Sequence, residues 1–212
     1  MPANAHLRIH GHGEIEVALV VAYLADIRHT YDSILVFDFA IDNMRRASRE
    51  FGYRNIPFPL DLDWPLLFGR RLRRTSQWPL GADQIASLVP ISQQLRLAAV
   101  QLQSPGFWDF LGKLNPLEVM RQYLNDRHER RKDRDYRESA EERRMLLENL
   151  SLENRVLSER VRLAKELGAS DEDLVPLLNE LVYKPLTALA VHQDRGVVDR
   201  AELPRPPDEH EG

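Results

Sequence analysis

Apolar and polar residues alternate at the start of the chain and then change to a helical spacing. Residues 6–10 alternate before a Gly-His-Gly turn, which predicts a short strand. Residues 15–47 contain no proline or glycine, and apolar residues recur along one side, which predicts a long and mostly buried helix. The run Ile34–Phe37 would also suit a strand, so a break near Asp32 is an alternative.

A second strand-then-helix unit follows further along the chain. Residues 53–82 hold repeated proline and glycine, which predicts a loop-rich segment with room for a short helix at 64–74. Residues 94–102 alternate and predict a strand. Ser104 and Pro105 match the preferred first positions of a helix, so we expect a helix from Phe107 onward.

Residues 117–167 form a run of 51 positions without proline or glycine, which predicts one long helix. Its first part carries interleaved basic and acidic residues that can pair one turn apart. A heptad repeat starts at residue 136, and Asn154 lies where a polar residue sets the register of two-stranded coiled coils. The residues predicted to support self-association are Tyr136, Leu147, Leu150, Asn154, Leu157 and Val161.

The apolar stripe near residue 146 and beyond is wider than a coiled-coil seam, so a second helix of the same chain is an alternative partner. Gly168 can end the long helix, and Ser170 with Asp173 can begin another through a capping box. The leucine-rich residues 171–191 therefore predict an αα-hairpin with a kink at Pro185.

The predicted fold class is α+β and predominantly helical. Its parts are an α+β globular domain at 1–124, a long charged helix or coiled coil at 125–168, a return helix at 169–192 and a disordered acidic tail at 193–212. Charge follows this division, because 24 of the 48 residues in 121–168 are charged, against 24 of 120 in 1–120.

Composition excludes some chemistry and indicates a compartment. The chain has no cysteine, which excludes disulfides, a thiol nucleophile and cysteine-bound zinc. Its longest apolar run, residues 17–25, is about half of a bilayer span, and no secretory leader is evident. We expect a cytoplasmic protein without a membrane span, and the excess of arginine (25) over lysine (4) is typical of a GC-rich bacterium.

The densest basic cluster is a candidate phosphate contact, formed by Arg70, Arg71, Arg73 and Arg74. A solvated or ion-paired face is the more ordinary explanation. Residues 121–144 hold 9 basic and 7 acidic side chains, so the long helix is nearly neutral. A nucleic-acid partner is therefore not the favoured prediction.

The candidate metal ligands are few and scattered along the sequence. His10 and His12 fall on one side of an extended strand, and Asp61 and Asp63 are two residues apart. Solvated histidines and a turn anchored by apolar neighbours explain these positions more simply. We predict no metal site, no cofactor and no catalytic residue, since glycine-rich phosphate loops and hydrolase motifs are also missing from the sequence.

Two stretches resemble a group of uncharacterised bacterial proteins. The first is residues 98–137, with Ser104–Trp108, Leu111-Gly112 and Leu114–Glu118 before the charged run. The second comprises Tyr31–Ile34 and Phe37-Asp38. The resemblance covers about two-thirds of the chain and implies no activity, ligand or catalytic residue.

The sequence therefore favours a non-enzymatic, self-associating interaction or scaffold protein. We expect a homo-oligomer with an unknown protein partner, for example an adaptor in a bacterial signalling or defence system. One alternative is a nucleic-acid-binding oligomer that uses Arg70–Arg74 and the long helix. Another is a small metal- or ligand-binding domain, and enzymatic activity is left open.

Overall fold

The computed structural model describes residues 4–11, 15–51, 80–101, 103, 106–131 and 154–204. The first half contains β1 (Asn4–Gly11), α1 (Val17–Phe51), α2 (Ala82–Leu88), a 3₁₀ turn (Ile91–Gln93), β2 (Arg96–Gln101) and β3 (Gly106–Lys113). The second half contains α3 (Leu114–Arg131), α4 (Arg155–Glu166), α5 (Asp171–Leu178), a π-helical segment (Asn179–Tyr183), α6 (Lys184–Asp194) and β4 (Ala201–Glu202).

The four strands form one antiparallel sheet in the order β2-β3-β1-β4. On one face, Ile9 pairs with Trp108 and Leu7 pairs with Phe110, and all four side chains are buried. On the other face, Arg8 donates two hydrogen bonds to the carboxylate of Asp109, each 2.8 Å long. Helices cover the apolar face, which confirms the predicted α+β, mainly helical fold class.

Helix α1 is the centre of the helical layer. It packs against α2, α3, α4, α6 and the π-helical segment. Its buried residues include Ile34, Leu35, Val36 and Phe37, which lie inside the helix. The prediction of one helix over 15–47 is thereby confirmed from Val17 onward, because a helix that is enclosed by neighbours can be apolar nearly all round.

The helix predicted from Phe107 is wrong, because residues 106–113 form the strand β3. Trp108 and Phe110 point into the core, whereas Asp109 pairs with Arg8 on the other face. Aromatic residues fit a pleated, two-sided surface, and β3 has a partner strand on each side. The helix starts instead at Leu114, with Pro116 in the first turn, where a missing N–H costs no helical hydrogen bond.

The structure corrects the prediction of a single helix over residues 117–167. At Asn154 the backbone is extended, with ψ 111°, and α4 begins after it. The Asn154 side chain accepts a hydrogen bond from the backbone N–H of Leu157 at 3.0 Å. Asparagine is a preferred helix N-cap, so the same residue that suits a coiled-coil seam can also start a new helix.

The predicted turn and return helix are present. Gly168 has a positive φ of 102°, and Ser170 and Asp173 form a reciprocal capping box at the start of α5. The predicted partner of the return helix is wrong, because it packs chiefly on α1, through α6 and the π-helical segment, and not on the end of the long helix. The π-helical segment ends directly before Lys184-Pro185, the position at which we predicted a kink.

The structure also corrects the disordered tail predicted from residue 193. Val197, Val198 and Ala201 are buried, and β4 pairs with β1. The last helix packs on α1 and the last strand pairs with β1. The C-terminal segment therefore belongs to the same folded unit as the first strand and helix, across the predicted domain boundary at residue 124. Residues 205–212 of the predicted tail lie outside the described residues.

Candidate functional site

Most of the residues singled out from the sequence lie outside the described residues. These are His12, Asp61, Asp63, Arg70, Arg71, Arg73, Arg74, Tyr136, Leu147 and Leu150. His10 is described, and its Nε2 lies 3.1 Å from the Glu202 carboxylate on β4. Within the described part of the chain, no group of three His, Asp or Glu side chains is placed to hold a metal ion.

Three of the predicted self-association residues are described, and they pack within one copy of the chain. Asn154 and Leu157 are buried, and Val161 is partly buried against the same core. The Asn154 amide also donates a hydrogen bond to Gln122 Oε1 on α3 at 2.8 Å. A contact between copies that uses described residues therefore needs another surface.

Strand β2 offers such a surface at the edge of the sheet. All six residues from Arg96 to Gln101 are exposed, and Leu97 and Val100 are 49% and 44% exposed. Its outer backbone edge has no hydrogen-bond partner among the residues that the structure describes. A row of free N–H and C=O groups is a template for pairing with another strand.

The opposite edge of the sheet is covered where β4 pairs with Arg8 and Ile9 of β1. Strand β4 has only two residues, and Asn125 of α3 takes the place of a further strand. Its side-chain amide donates to the Ala201 carbonyl at 2.7 Å, and its side-chain oxygen accepts from the Ala201 N–H at 2.9 Å. Strand addition is therefore favoured at β2 and blocked at β4.

The register of β2 against β3 shows which face each side chain occupies. Leu97 pairs with Phe110 and Val100 pairs with Trp108, so both extend the apolar face of the sheet. Arg96, Ala99 and Gln101 pair with Leu111, Asp109 and Phe107 on the opposite face. The register shifts between Leu97 and Ala99, which places a β-bulge at Ala98. Leu97 and Val100 thus form an apolar margin beyond the helical layer.

A cleft of about 250 Å³ that contains charged side chains lies between α1, α3 and α4. Its central group is Asp38, which is 6% exposed. Asn115 donates a hydrogen bond to Asp38 Oδ2 at 3.1 Å, and Arg160 Nε lies 3.2 Å from Asp38 Oδ1. Arg160 also pairs with Asp42. Burial raises the pKa of Asp38 to about 6, and the positive charge of Arg160 opposes that rise.

Next to this cleft, Tyr31 joins α1 to two neighbouring segments. Its hydroxyl donates to the Gln93 carbonyl and accepts from the Lys113 N–H, both at 2.8 Å. Burial raises the pKa of Tyr31 to about 12, so the hydroxyl stays protonated at neutral pH. Neither Tyr31 nor Asp38 was among the residues for which a role was predicted from the sequence. The signal for Asp38 was a carboxylate inside the apolar run 34–41, because such a group must find a partner when it is buried.

A second polar pair joins α1 to α6. His192 is 2% exposed, and its Nε2 lies 2.7 Å from Asp26 Oδ2. The ring of Tyr23 lies edge-on to the His192 ring, with 5.6 Å between centroids. A carboxylate orients a histidine in this way in many hydrolases, but those sites also hold a nucleophile beside the ring. His192 Nδ1 is buried and has no hydrogen-bond partner among the described residues, and the contact of Nε2 with Asp26 links α6 to α1.

The helical stretch Asp171–Asp194 is long and apolar enough to cross a membrane by length and composition, with a mean hydropathy of 1.3. Half of its most apolar window is buried inside the protein. Leu177, Leu181 and Leu189 are each 1% exposed in the core. Packing against α1 and the rest of the core therefore accounts for the buried half of this window.

Comparison with known proteins does not assign a family. A scan of protein-family models, a search of curated proteins and a search of solved structures found no match. The exposed edge of β2 described above therefore carries the functional proposal.

Proposed function

We propose that this chain is a non-enzymatic interaction protein that self-associates, with β2 as the contact between copies. The observation that carries the proposal is the difference between the two sheet edges. β2 is exposed along all six residues, whereas Asn125 occupies the edge next to β4. An antiparallel pair of β2 strands would join two four-stranded sheets into one.

The chemistry of β2 favours a second copy as its occupant. Soluble proteins usually protect an edge strand with lysine, proline or a covering segment. β2 carries one charge, Arg96, and no lysine or proline. Its two large apolar side chains, Leu97 and Val100, lie on one face, so each β2 strand offers the other an apolar pair of similar size.

The bulge at Ala98 and the shortness of β2 limit the strength of this contact. A six-residue strand pair is smaller than a standard protein interface of about 1,600 Å². The heptad positions Tyr136, Leu147 and Leu150 supply a further contact in this proposal. The assembly would act as a cytoplasmic scaffold for a protein partner, without a membrane span and without a cofactor, in a bacterial signalling or defence system.

The test compares the sedimentation of full-length variants over a range of concentrations. Leu97→Lys combined with Val100→Lys places like charges on the proposed contact and should lower the average mass. Val191→Lys is the matched control, because Val191 lies on α6 and is 39% exposed, close to the 44% of Val100. The proposal fails if the double variant and the control retain the mass of the unmodified chain. Circular dichroism of each variant confirms that it is folded.

The nucleic-acid alternative has no support from the described residues. Its basis, Arg70–Arg74 and most of the long charged segment, lies outside them. Binding to a DNA duplex that weakens steeply with salt would favour that alternative.

A further inference from the structure

We infer that two copies pair through β2 in one antiparallel register, with Leu97 of each copy opposite Val100 of the other. This inference rests on the proposed self-association and specifies its geometry. The two β2 strands would lie at the centre of a continuous eight-stranded sheet, and the two-fold axis would pass between Ala98 and Ala99.

The face of each side chain selects this register. Residues that are directly opposite in an antiparallel pair point to the same face of the sheet. Leu97 and Val100 share the apolar face, and Arg96 and Gln101 share the other face. When Leu97 of one copy lies opposite Val100 of the other, Arg96 lies opposite Gln101, and the two residues of each pair point to the same face. A shift by one residue would place Leu97 opposite Ala99 or Gln101, which point to the opposite face.

Charge and side-chain size favour the same arrangement. The antiparallel register places each Arg96 opposite Gln101 and keeps the two arginines at opposite ends of the contact. A parallel, in-register pair would bring the arginines together, which is unfavourable. The β-bulges of the two copies meet at Ala98 and Ala99, whose small side chains leave room for the irregular backbone. A two-fold contact of this kind also closes on itself, because it uses the outer edge of β2 in both copies.

The absence of cysteine from the chain permits a direct test by disulfide formation. Leu97→Cys and Val100→Cys are made separately in the full-length chain, mixed to allow exchange, and oxidised mildly. The mixture should form a covalent dimer, since opposite residues in an antiparallel pair have Cα atoms about 4.5–5.5 Å apart. Each variant alone should not, because equal positions would be offset by three residues, about 10 Å along the strand, beyond the reach of a disulfide.

Controls separate the register from self-association itself. Val191→Cys mixed with Leu97→Cys should give only background cross-linking, because Val191 lies on α6. Light scattering on each sample before oxidation measures its mass. A non-covalent dimer in which the mixture does not cross-link, or in which one variant alone does, overturns the register but leaves self-association in place. A monomer throughout overturns the proposed function as well.

Discussion

Gly112 on β3 lies against the ring of Tyr31 on α1, so closely that a Cβ atom at position 112 would be 2.7 Å from Tyr31 Cε2. The same tyrosine holds the Lys113 N–H through its hydroxyl. The sheet and α1 therefore meet at a point where only glycine fits.

Gly112→Ala should destabilise the protein, because either Tyr31 or the strand must move. Inserting a methyl group into such a contact costs about 1–3 kcal/mol of unfolding free energy. Urea unfolding followed by circular dichroism measures this cost. Gly81→Ala is the control, since a Cβ atom there would be 3.7 Å from its nearest neighbour, Gln84 Oε1. Equal stability of the two variants would show that the contact with Tyr31 is looser than described.

Arg127 should be a main link between α3 and the C-terminal segment. It is 2% exposed, and its guanidinium donates to Ala190 O and Gln193 Oε1 at 3.2 Å and to Asp194 Oδ1 at 2.7 Å. Arg127→Ala leaves buried acceptors without a donor, which we expect to cost about 2–3 kcal/mol. Hydrogen exchange should increase first in residues 190–202.

The matched control for that change is Arg162→Ala. The Arg162 side chain is 75% exposed and lies 3.7 Å from Glu166. An exposed pair of this kind contributes less than about 1 kcal/mol, so this variant should unfold at nearly the same urea concentration as the unmodified chain. A loss as large as that of Arg127→Ala would mean that burial does not decide the effect.

Asn154→Leu distinguishes two roles for one residue. As an N-cap that also contacts Gln122, Asn154 stabilises a single copy, and its replacement should cost about 1–2 kcal/mol. As a polar residue in a coiled-coil seam, its replacement by leucine should stabilise the oligomer instead. Thermal unfolding at two protein concentrations shows whether the substitution lowers or raises the melting temperature. A higher and more concentration-dependent melting temperature would contradict the capping role.

Asp38 should make stability depend on pH near 6. Burial raises its pKa from the ordinary 3.8 to about 6, so the folded chain binds this proton more tightly than the unfolded chain. Its favourable contribution is present at low pH and is lost as the pH rises through 6. Between pH 7 and pH 5 the unmodified chain should gain about 1 kcal/mol relative to Asp38→Asn.

Urea unfolding of both proteins at the two pH values gives that difference directly, because other acids contribute equally to each. Asp32 provides an independent repeat, since burial also raises its pKa to about 6, and Arg28 opposes the rise. Identical pH dependence of stability in the unmodified chain and in Asp38→Asn would contradict the raised pKa of Asp38 in the folded chain.

Local signals in the sequence predicted the elements whose partners are near in the chain. The alternation at residues 6–10, the unbroken apolar helix 15–47 and the capping box at Ser170 depend on neighbouring residues, and they correspond to β1, α1 and the start of α5. Asn154 shows the limit of such signals. Asparagine suits both a helix N-cap and a polar heptad position, so the sequence around residue 154 fits either role. Only the contact with Gln122 in the same chain distinguishes the two roles.

The features that were not predicted from the sequence depend on pairing between residues that are far apart in the chain. Ser104-Pro105 resembles a helix start, but residues 106–113 become a strand because β1 and β2 flank them. Residues 197–202 include three charged residues and lie close to proline, yet β1 and Asn125 hold them in place. The open edge of β2 could not be predicted at all, because exposure of a strand depends on what the rest of the chain covers.

The most direct test of self-association is the mass of the unmodified full-length chain in solution. Light scattering at micromolar concentrations should give a mass above that of a single 24.6 kDa chain, with an average that rises with concentration. A mass of one chain at every concentration would contradict both the proposed scaffold function and the pairing of β2.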